Sequence, residues 1–559
     1  MVAAWSFLLL SLSSLANVAT ARSPTNPKAL RNEILDSRGP QRAPAASTPP
    51  LEAKRSALAT PRSTISFSNP AAAAFHVNGT SLPDVDFDVG DSWSGLMPIS
   101  SNANETRKLF FWFWPSKDPK YTDDLVFWTN GGPGCSSLEG LLQENGPFKW
   151  PPGTAKPIQN QWGWSNLSHV LYVEQPVGTG FSQGVPNIHD DDELAAQIAG
   201  FMVQFLNVFS ELKGKKLYVT GESYAGFYVP YIANYLYEHP GLVPLNMTGV
   251  WITDPSVSWD IVTEYIPAVS FAQKWQSVLG FTDSFMAKLE SQAQTCGFAN
   301  YTEKYATYPP KGKLPLPSQA YRGIPNYANI TSKCTTWDDI LNEALNVNPN
   351  FNMYRILDVW PVLWDVLGFP GSFDNVQSPL YFNRTEVQDA IHAPHISWSE
   401  CSNINVYVDG VDNSVPSMLS VMPNVIEKSA RTVVMHGLVD YVLIAEGTRI
   451  AIQNMTWGGA QGFQTPIAQD SFVIESFGSL GNMHQERVTY VEVNLSGHMM
   501  PQYAPWAAYK TLWYLLGRGE LTSTAIDNSL YPNDFQLYGT WDHKSASSKP
   551  ARIGKHVDL

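Results

Sequence analysis

The stretch Val219-Thr220-Gly221-Glu222-Ser223-Tyr224-Ala225-Gly226 (VTGESYAG) sets a serine among small residues directly after an apolar run. Leu217-Tyr218-Val219 reads as a strand, and the apolar residues from Tyr224 to Tyr237 have helical spacing, with Pro230 as a candidate kink. A serine on a sharp strand-to-helix turn presents its hydroxyl clear of the sheet, and Gly221, Ala225 and Gly226 let neighbouring backbone come close. The turn departs from a strict G-x-S-x-G by carrying alanine two positions after the serine. Glu222 is the anomaly, because an ionised carboxylate beside a serine that must become an anionic attacker opposes the chemistry.

Outward from this turn, strand and helix signals alternate. Asp84, Phe87 and Val89, then Leu109 to Trp114, read as opening strands. Leu125 to Trp128 is an apolar run closed by Asn130-Gly131-Gly132-Pro133-Gly134, and Val170 to Val173 is another closed by Pro176 and Gly178. Leu194, Ile198, Phe201, Met202, Phe205, Val208 and Phe209 recur at helical steps after the acidic start Asp190 to Glu193. Residues 255–380 break the rhythm with many Pro and Asn and helix-like pieces such as Thr282 to Ala293, so they read as an insertion, largely helical, that caps the sheet. Alternation resumes at Val433 to Met435 and Val488 to Val493. Such alternation implies an α/β fold: a central, mostly parallel sheet with helices on both faces.

A serine oxygen attacks only when a histidine takes its proton and a carboxylate orients that histidine. The α/β-hydrolase fold supplies these in the chain order Ser, Asp or Glu, His, each after a strand. Ser223, Asp440 and His498 follow that order, behind Leu217 to Val219, Val433 to Gly437 and Val488 to Val493. Alone, Asp440 reads as a loop carboxylate or a helix cap; the three pieces in order point to a serine hydrolase.

The 559 residues carry a net charge of −14 with no long basic stretch, which argues against nucleic acid as a partner. An apolar stretch from Phe7 ending in Ala19-Thr20-Ala21 predicts a secretory signal peptide over 1–21, although no Lys or Arg precedes it. The Pro-, Ala- and Ser-rich segment 22–63 reads as a leader with a dibasic pair at Lys54-Arg55, followed by a catalytic domain over 64–545 and a tail over 546–559. No membrane anchor is evident. The chain is expected to be secreted, with a vacuolar destination as the alternative. In an exported chain Cys135, Cys296, Cys334 and Cys401 suggest two disulfides with three possible connectivities, and their spacing gives no metal pattern. Nine glycosylation sequons stand at Asn78, Asn104, Asn166, Asn246, Asn300, Asn329, Asn383, Asn454 and Asn494; the last two, close to motifs, are expected to be buried and unmodified.

Asn130 to Ser137 (NGGPGCSS), Glu174 to Ser182 (EQPVGTGFS) with the Trp162 to Ser165 segment before it, Gly221 to Gly226, and Gly497-His498-Met499 with Pro501 closely resemble the serine carboxypeptidase family. The likeness spans about residues 80–540 and is greatest to secreted fungal members. It implies a cofactor-free enzyme acting on peptide and protein C-termini, with Ser223 as nucleophile, His498 as base then acid, and Asp440 orienting it. The resemblance places the oxyanion hole at the N–H groups of Gly132 and Tyr224. It assigns the substrate's terminal carboxylate to Asn130, Glu144 and Glu222, with Trp128 and Gly131 lining that site, and the final side chain to a pocket at Met499. It also implies the pairs Cys135–Cys401 and Cys296–Cys334. Leu443 stands where many relatives carry cysteine, which predicts low sensitivity to mercurials.

On this reading a protonated Glu222 donates to the substrate carboxylate, and the Glu144–Glu222 pair, each raising the other's proton affinity, predicts activity best in acid. An acyltransferase on the same scaffold, or a silent binding homologue, is the alternative.

Overall fold

The computed structural model describes residues 64–358, 365–368, 380–474 and 478–521. The expected signal peptide, leader and tail, and part of the 255–380 insertion, lie outside the described residues. Eleven strands form the main sheet: β1 (His76–Val77), β2 (Ser92–Pro98), β3 (Lys108–Trp114), β4 (Asp124–Thr129), β5 (His169–Glu174), β6 (Lys216–Glu222), β7 (Asn246–Thr253), β8 (Arg431–Gly437), β9 (Ala468–Ile474), β10 (Gly478–Gln485) and β11 (Val488–Val493). Their spatial order is β1-β2-β3-β5-β4-β6-β7-β8-β11-β10-β9. The central six, from β5 to β11, run parallel. Antiparallel strands β1 to β3 and β9 and β10 extend the two edges.

Successive side chains of a strand point to opposite faces, so a strand covered on both sides needs an unbroken apolar run. The run from Leu109 to Trp114 meets that need: Phe111 and Phe113 enter one core, while Phe110, Trp112 and Trp114 enter the other. Helices α1 (Asp191–Val208) and α2 (Ala225–Glu238) pack on the first face. Asp190 caps α1 by accepting the Glu193 N–H (2.9 Å), and three acidic residues in its first turn suit the helix dipole. The helix α2 continues through Pro230 to Glu238.

One expected strand is absent. Phe87 and Val89 lie in irregular chain, with the Val89 N–H given to Gly79 O (3.3 Å), and β2 begins only at Ser92. Gly79 packs so tightly on Gly90 that a Cβ would come within 2.1 Å of its carbonyl oxygen, a close approach that holds this segment as a loop.

Between β7 and β8 the insertion is helical, with α3 (Ile266–Leu279), α4 (Asp283–Cys296) and α5 (Thr336–Val347). Thr282 caps α4, and Gly297 ends it in the left-handed region. The Cys296–Cys334 disulfide ties the end of α4 to the start of α5. Trp337 of α5 stacks on Tyr441 (centroids 5.5 Å, 5°) and donates its Nε1–H to Tyr441 O (2.9 Å), joining the insertion to the turn after β8.

Beyond that turn, α6 (Ala445–Asn454) supplies Arg449, whose guanidinium grips Glu492 of β11 at two points. Helix α7 (Pro505–Leu515) closes the second face of the sheet. Burial pushes the Glu492 carboxyl up, but the charge and hydrogen bonds of Arg449 outweigh it and hold the group below its ordinary value. Arg449→Met therefore leaves a buried charge without its partner and is expected to cost about 3–5 kcal/mol in thermal or denaturant unfolding. Replacing both residues by Met should recover most of the loss. Because the folded carboxyl titrates low, the difference between wild type and Arg449→Met is present above about pH 4.3 and shrinks as pH falls below it.

Candidate active site

Ser223 leaves the end of β6 with φ +63°, a conformation unusual for a residue with a side chain. Its N–H donates to Thr253 O (3.0 Å) and its carbonyl accepts from Gly226 and Ser256 (2.9 Å each), so β7 and α2 over-determine the strained turn. The glycines are required by contact: a Cβ on Gly221 would stand 2.4 Å from Thr129 O, and one on Gly226 would stand 2.1 Å from Ser256 O.

The ends of two further parallel strands bring the partners. After β8, Asp440 accepts the N–H groups of Val442 (2.8 Å) and Leu443 (3.3 Å) on Oδ1 and faces His498 with Oδ2. His498, after β11, gives its Nδ1–H to that oxygen at 2.8 Å. Its backbone N–H donates to Tyr354 O (2.7 Å), and the Tyr354 ring packs edge-on against the imidazole at 5.4 Å. Ser223, His498 and Met499 line one cleft together with Asn130, Gly131, Gly132, Glu139, Glu222 and Tyr354. A serine and an imidazole lining one cleft, with a carboxylate bonded to the imidazole, are groups that acyl transfer can use. Tyr354 belongs to the insertion and sits in no motif, so nothing in the sequence marked it.

The glycine-rich loop lies against the turn. Gly131 is pressed so close that a Cβ would fall 2.4 Å from Tyr224 N and 2.7 Å from Ser223 Cβ, and Gly132 has φ +116°. Tyr224 precedes α2, where N–H groups have no carbonyl one turn earlier. The Cys135–Cys401 disulfide, with Ser136 N–H on Glu400 O (2.7 Å) and Ser402 N–H on Gly134 O (2.8 Å), pins this loop to the far segment. From below, the Ser136 hydroxyl donates to Glu174, whose carboxyl burial raises to about 7 against the hydrogen bonds it accepts.

Beside the serine lies a buried carboxyl cluster. Asn130 donates its Nδ2–H to Glu222 Oε1 (2.8 Å) and, at 3.4 Å, to Glu144 Oε1. Its own Oδ1 is fixed by Trp128 Nε1–H (2.8 Å) and Gly140 N–H (3.2 Å). Trp128 and Glu144, each with no exposure, stand behind Asn130, whereas Asn130, Gly131 and Glu222 face the cleft. Glu144 ends a single π-helical turn, Gly140–Glu144, and a Cβ on Gly140 would lie 2.2 Å from Trp128 Nε1. Burial drives the Glu222 carboxyl well above its ordinary range, and the charges of Glu144 and Glu139 and a hydrogen bond to Glu144 push the same way. These influences favour the neutral form of Glu222, and Glu139 is a contributor that the sequence did not single out.

Both disulfides join the cysteines that the resemblance paired, which leaves the chain without a free thiol. Among the sequons, Asn78, Asn104, Asn246, Asn300 and Asn494 are exposed, while Asn166, Asn329, Asn383 and Asn454 are half-buried. Asn494 corrects the expectation of burial: it follows the last residue of β11 and faces out. Asn454 Oδ1 accepts the Leu314 N–H (2.9 Å), and Asn383 is tied to Trp398 at both ends of its amide.

The family described as serine carboxypeptidase matches residues 83–517. A probable serine carboxypeptidase of Arthroderma benhamiae is 46% identical over 480 residues, covering 82% of this chain and 89% of the relative. Serine-type carboxypeptidase F of Aspergillus niger is 41% identical over 467 residues, covering 78% and 86%. The crystal structure of the Saccharomyces cerevisiae prohormone-processing carboxypeptidase Kex1 superposes with a TM-score of 0.63 at 22% identity, covering 80% of this chain and 96% of that one, a likeness of fold. With the family matched over most of the chain, and relatives this similar along nearly their whole length, the protein belongs to the serine carboxypeptidase family and is a serine-type carboxypeptidase of α/β-hydrolase fold.

Proposed function

We propose that the enzyme releases C-terminal amino acids from peptides in acidic surroundings through an acyl-enzyme formed on Ser223. His498 takes the serine proton and returns it to the leaving amine, and Asp440 keeps the imidazole oriented and offsets its charge. The N–H groups of Gly132 and Tyr224 receive the developing oxyanion, which the contact of Gly131 with the Ser223 turn supports. Asn130 and protonated Glu222 take the substrate carboxylate, backed by Glu144, Trp128 and the Gly131 backbone, with Met499 against the final side chain. Secretion and glycosylation at the exposed sequons accompany this reading, which needs no cofactor.

The observation that carries it is Glu222: a buried acid, driven toward its neutral form, next to the strained serine and in contact with an amide donor. A carboxylate ligand accepts hydrogen bonds from both groups, whereas an internal peptide bond brings no such charge. Retention of this donor pair favours hydrolysis of free peptide acids over acyl transfer to an alcohol.

Three outcomes follow. Ser223→Ala should lower kcat at least about 10⁴-fold without loss of folding; turnover at the wild-type rate would remove Ser223 as nucleophile. A peptide acid should exceed its C-terminal amide in kcat/KM by about 10–100-fold at pH 5, with the gap narrowing toward pH 8. The sign follows from Glu222: its raised folded value leaves it a donor in acid, and as pH rises it ionises and repels the substrate carboxylate. Equal rates for acid and amide across that range would reject the clamp. Glu222→Gln keeps a donor that does not titrate, so its KM for peptide acids should rise less with pH than that of wild type; superimposable profiles would assign the titration elsewhere.

A further inference from the structure

Asp440 has a second imidazole behind it. His436, on β8 and fully buried, places Nε2 3.6 Å from Asp440 Oδ2, the same oxygen that accepts from His498 at 2.8 Å. The same Nε2 stands 3.6 Å from Asp254 Oδ1 at the end of β7. Its hydrogen goes to Leu443 O (2.8 Å), and a carbonyl can only accept, so Nε2 is the protonated nitrogen. That assignment leaves Nε2 without a lone pair for a cation, although Asp254, His436 and Asp440 lie close enough to share one. The Thr448 hydroxyl of α6 meets Nδ1 at 2.9 Å and fixes the ring from the other end.

Two consequences follow. Leu443 gives its N–H to Asp440 and its carbonyl to His436, so the imidazole clamps the turn that presents the catalytic carboxylate. The Nε2–H dipole also sits between two fully buried acids that cannot both ionise cheaply. Burial and then the charge of Asp440 push Asp254 well above its ordinary range, against the hydrogen bonds it accepts from Thr253 and Gly437, and Glu144 adds to the push. Glu264, at the turn before α3, is likewise raised by burial and by its acidic neighbours, Asp440 among them.

We propose that His436 is a positioning residue for catalysis: through Leu443 and its approach to Asp440 Oδ2 it fixes the turn that presents the Asp440 carboxyl to His498. This inference rests on the triad reading above. Removing the imidazole leaves Leu443 O and the Thr448 hydroxyl without it and lets Asp440 turn. The counter-charge at His498 then falls, and imidazolium there is less favoured.

The experiment is the pH profile of kcat and KM on one peptide acid for wild type, His436→Ala, His436→Gln and Thr448→Val. His436→Ala is expected to lower kcat by about tenfold or more, short of the ~10⁴-fold cost of losing the orienting carboxylate's function, with KM changed less than about twofold. The acid limb of kcat/KM should move to lower pH by at least about half a unit. His436→Gln, which can still donate to Leu443 O, should recover most of kcat, and Thr448→Val should move the limb the same way by less. A merely structural role would lower stability without moving the limb, so an unmoved limb in the folded variants overturns the proposal. If His436→Ala does not fold, the limbs of His436→Gln and Thr448→Val decide in the same way. Absence of peptidase activity in wild type would instead overturn the underlying reading, so the two failures are distinguishable.

Discussion

The hydrogen bond from Asn130 to Glu222 (2.8 Å) is the constraint around which the site is arranged. It requires Asn130 at the end of β4 and Glu222 at the end of β6, two adjacent parallel strands in register, Thr129 opposite Gly221. Holding Asn130 requires Trp128 Nε1 and the Gly140 N–H on its oxygen, and Gly140 in turn must lack a side chain because the indole occupies that space. An amide so fixed presents only donors to the carboxyl cluster. Glu222 is left with Glu144 on one side and Ser223 on the other, and burial makes the neutral acid its stable form. The carboxyl beside Ser223 is therefore driven toward a form that carries no charge.

Four buried acids surround the nucleophile's turn: Glu144, Glu222, Asp254 and Asp440, none more than 3% exposed. They act on one another across the elbow, since Asp254 helps raise Glu222 and Glu144 helps raise Asp254. A low-dielectric site cannot hold four such charges, so protons must be retained on some members. Their partners differ: Asp440 accepts two backbone N–H groups and an imidazole, while Glu222 is pressed against another carboxyl that raises it. The same burial therefore surrounds two carboxyls with different partners, and only Glu222 is driven toward its neutral form by another acid at hydrogen-bonding distance.

Much of this was legible in the sequence because its signals are local. A strand buried on both faces needs a continuous apolar run, so Leu109 to Trp114, Leu125 to Trp128 and Val170 to Val173 announced themselves. The close approaches at Gly131, Gly221 and Gly226 left glycines in short motifs. What escaped was non-local. Tyr354, which carries His498 on its carbonyl, comes from the insertion, where no period links it to the sheet. His436 and Asp254 read as ordinary strand-end residues until β7 and β8 are placed side by side. Phe87 and Val89 misled because an apolar pair fits a loop buried by a Gly79–Gly90 contact as well as it fits a strand. Asn494 misled in the other direction: a position next to a core strand is exposed as soon as the chain turns out.

Acid operation places opposite demands on the two halves of the site. On the proposed mechanism, Glu222 must keep its proton to bind a substrate carboxylate, while His498 must be neutral to act as base. Lowering pH helps the first and hinders the second, so a working range exists only if Glu222 releases its proton at higher pH than His498 accepts one. Burial and the neighbouring Glu144 raise the Glu222 acid, which moves the upper edge of that range to higher pH. On the same proposal, a device that fixes the position of Asp440 bears on the lower edge of the range, and the Glu144–Glu222 contact bears on the upper one. The two edges are built on different strands, yet the buried acids act on one another across the elbow, so a change at one is felt at the other.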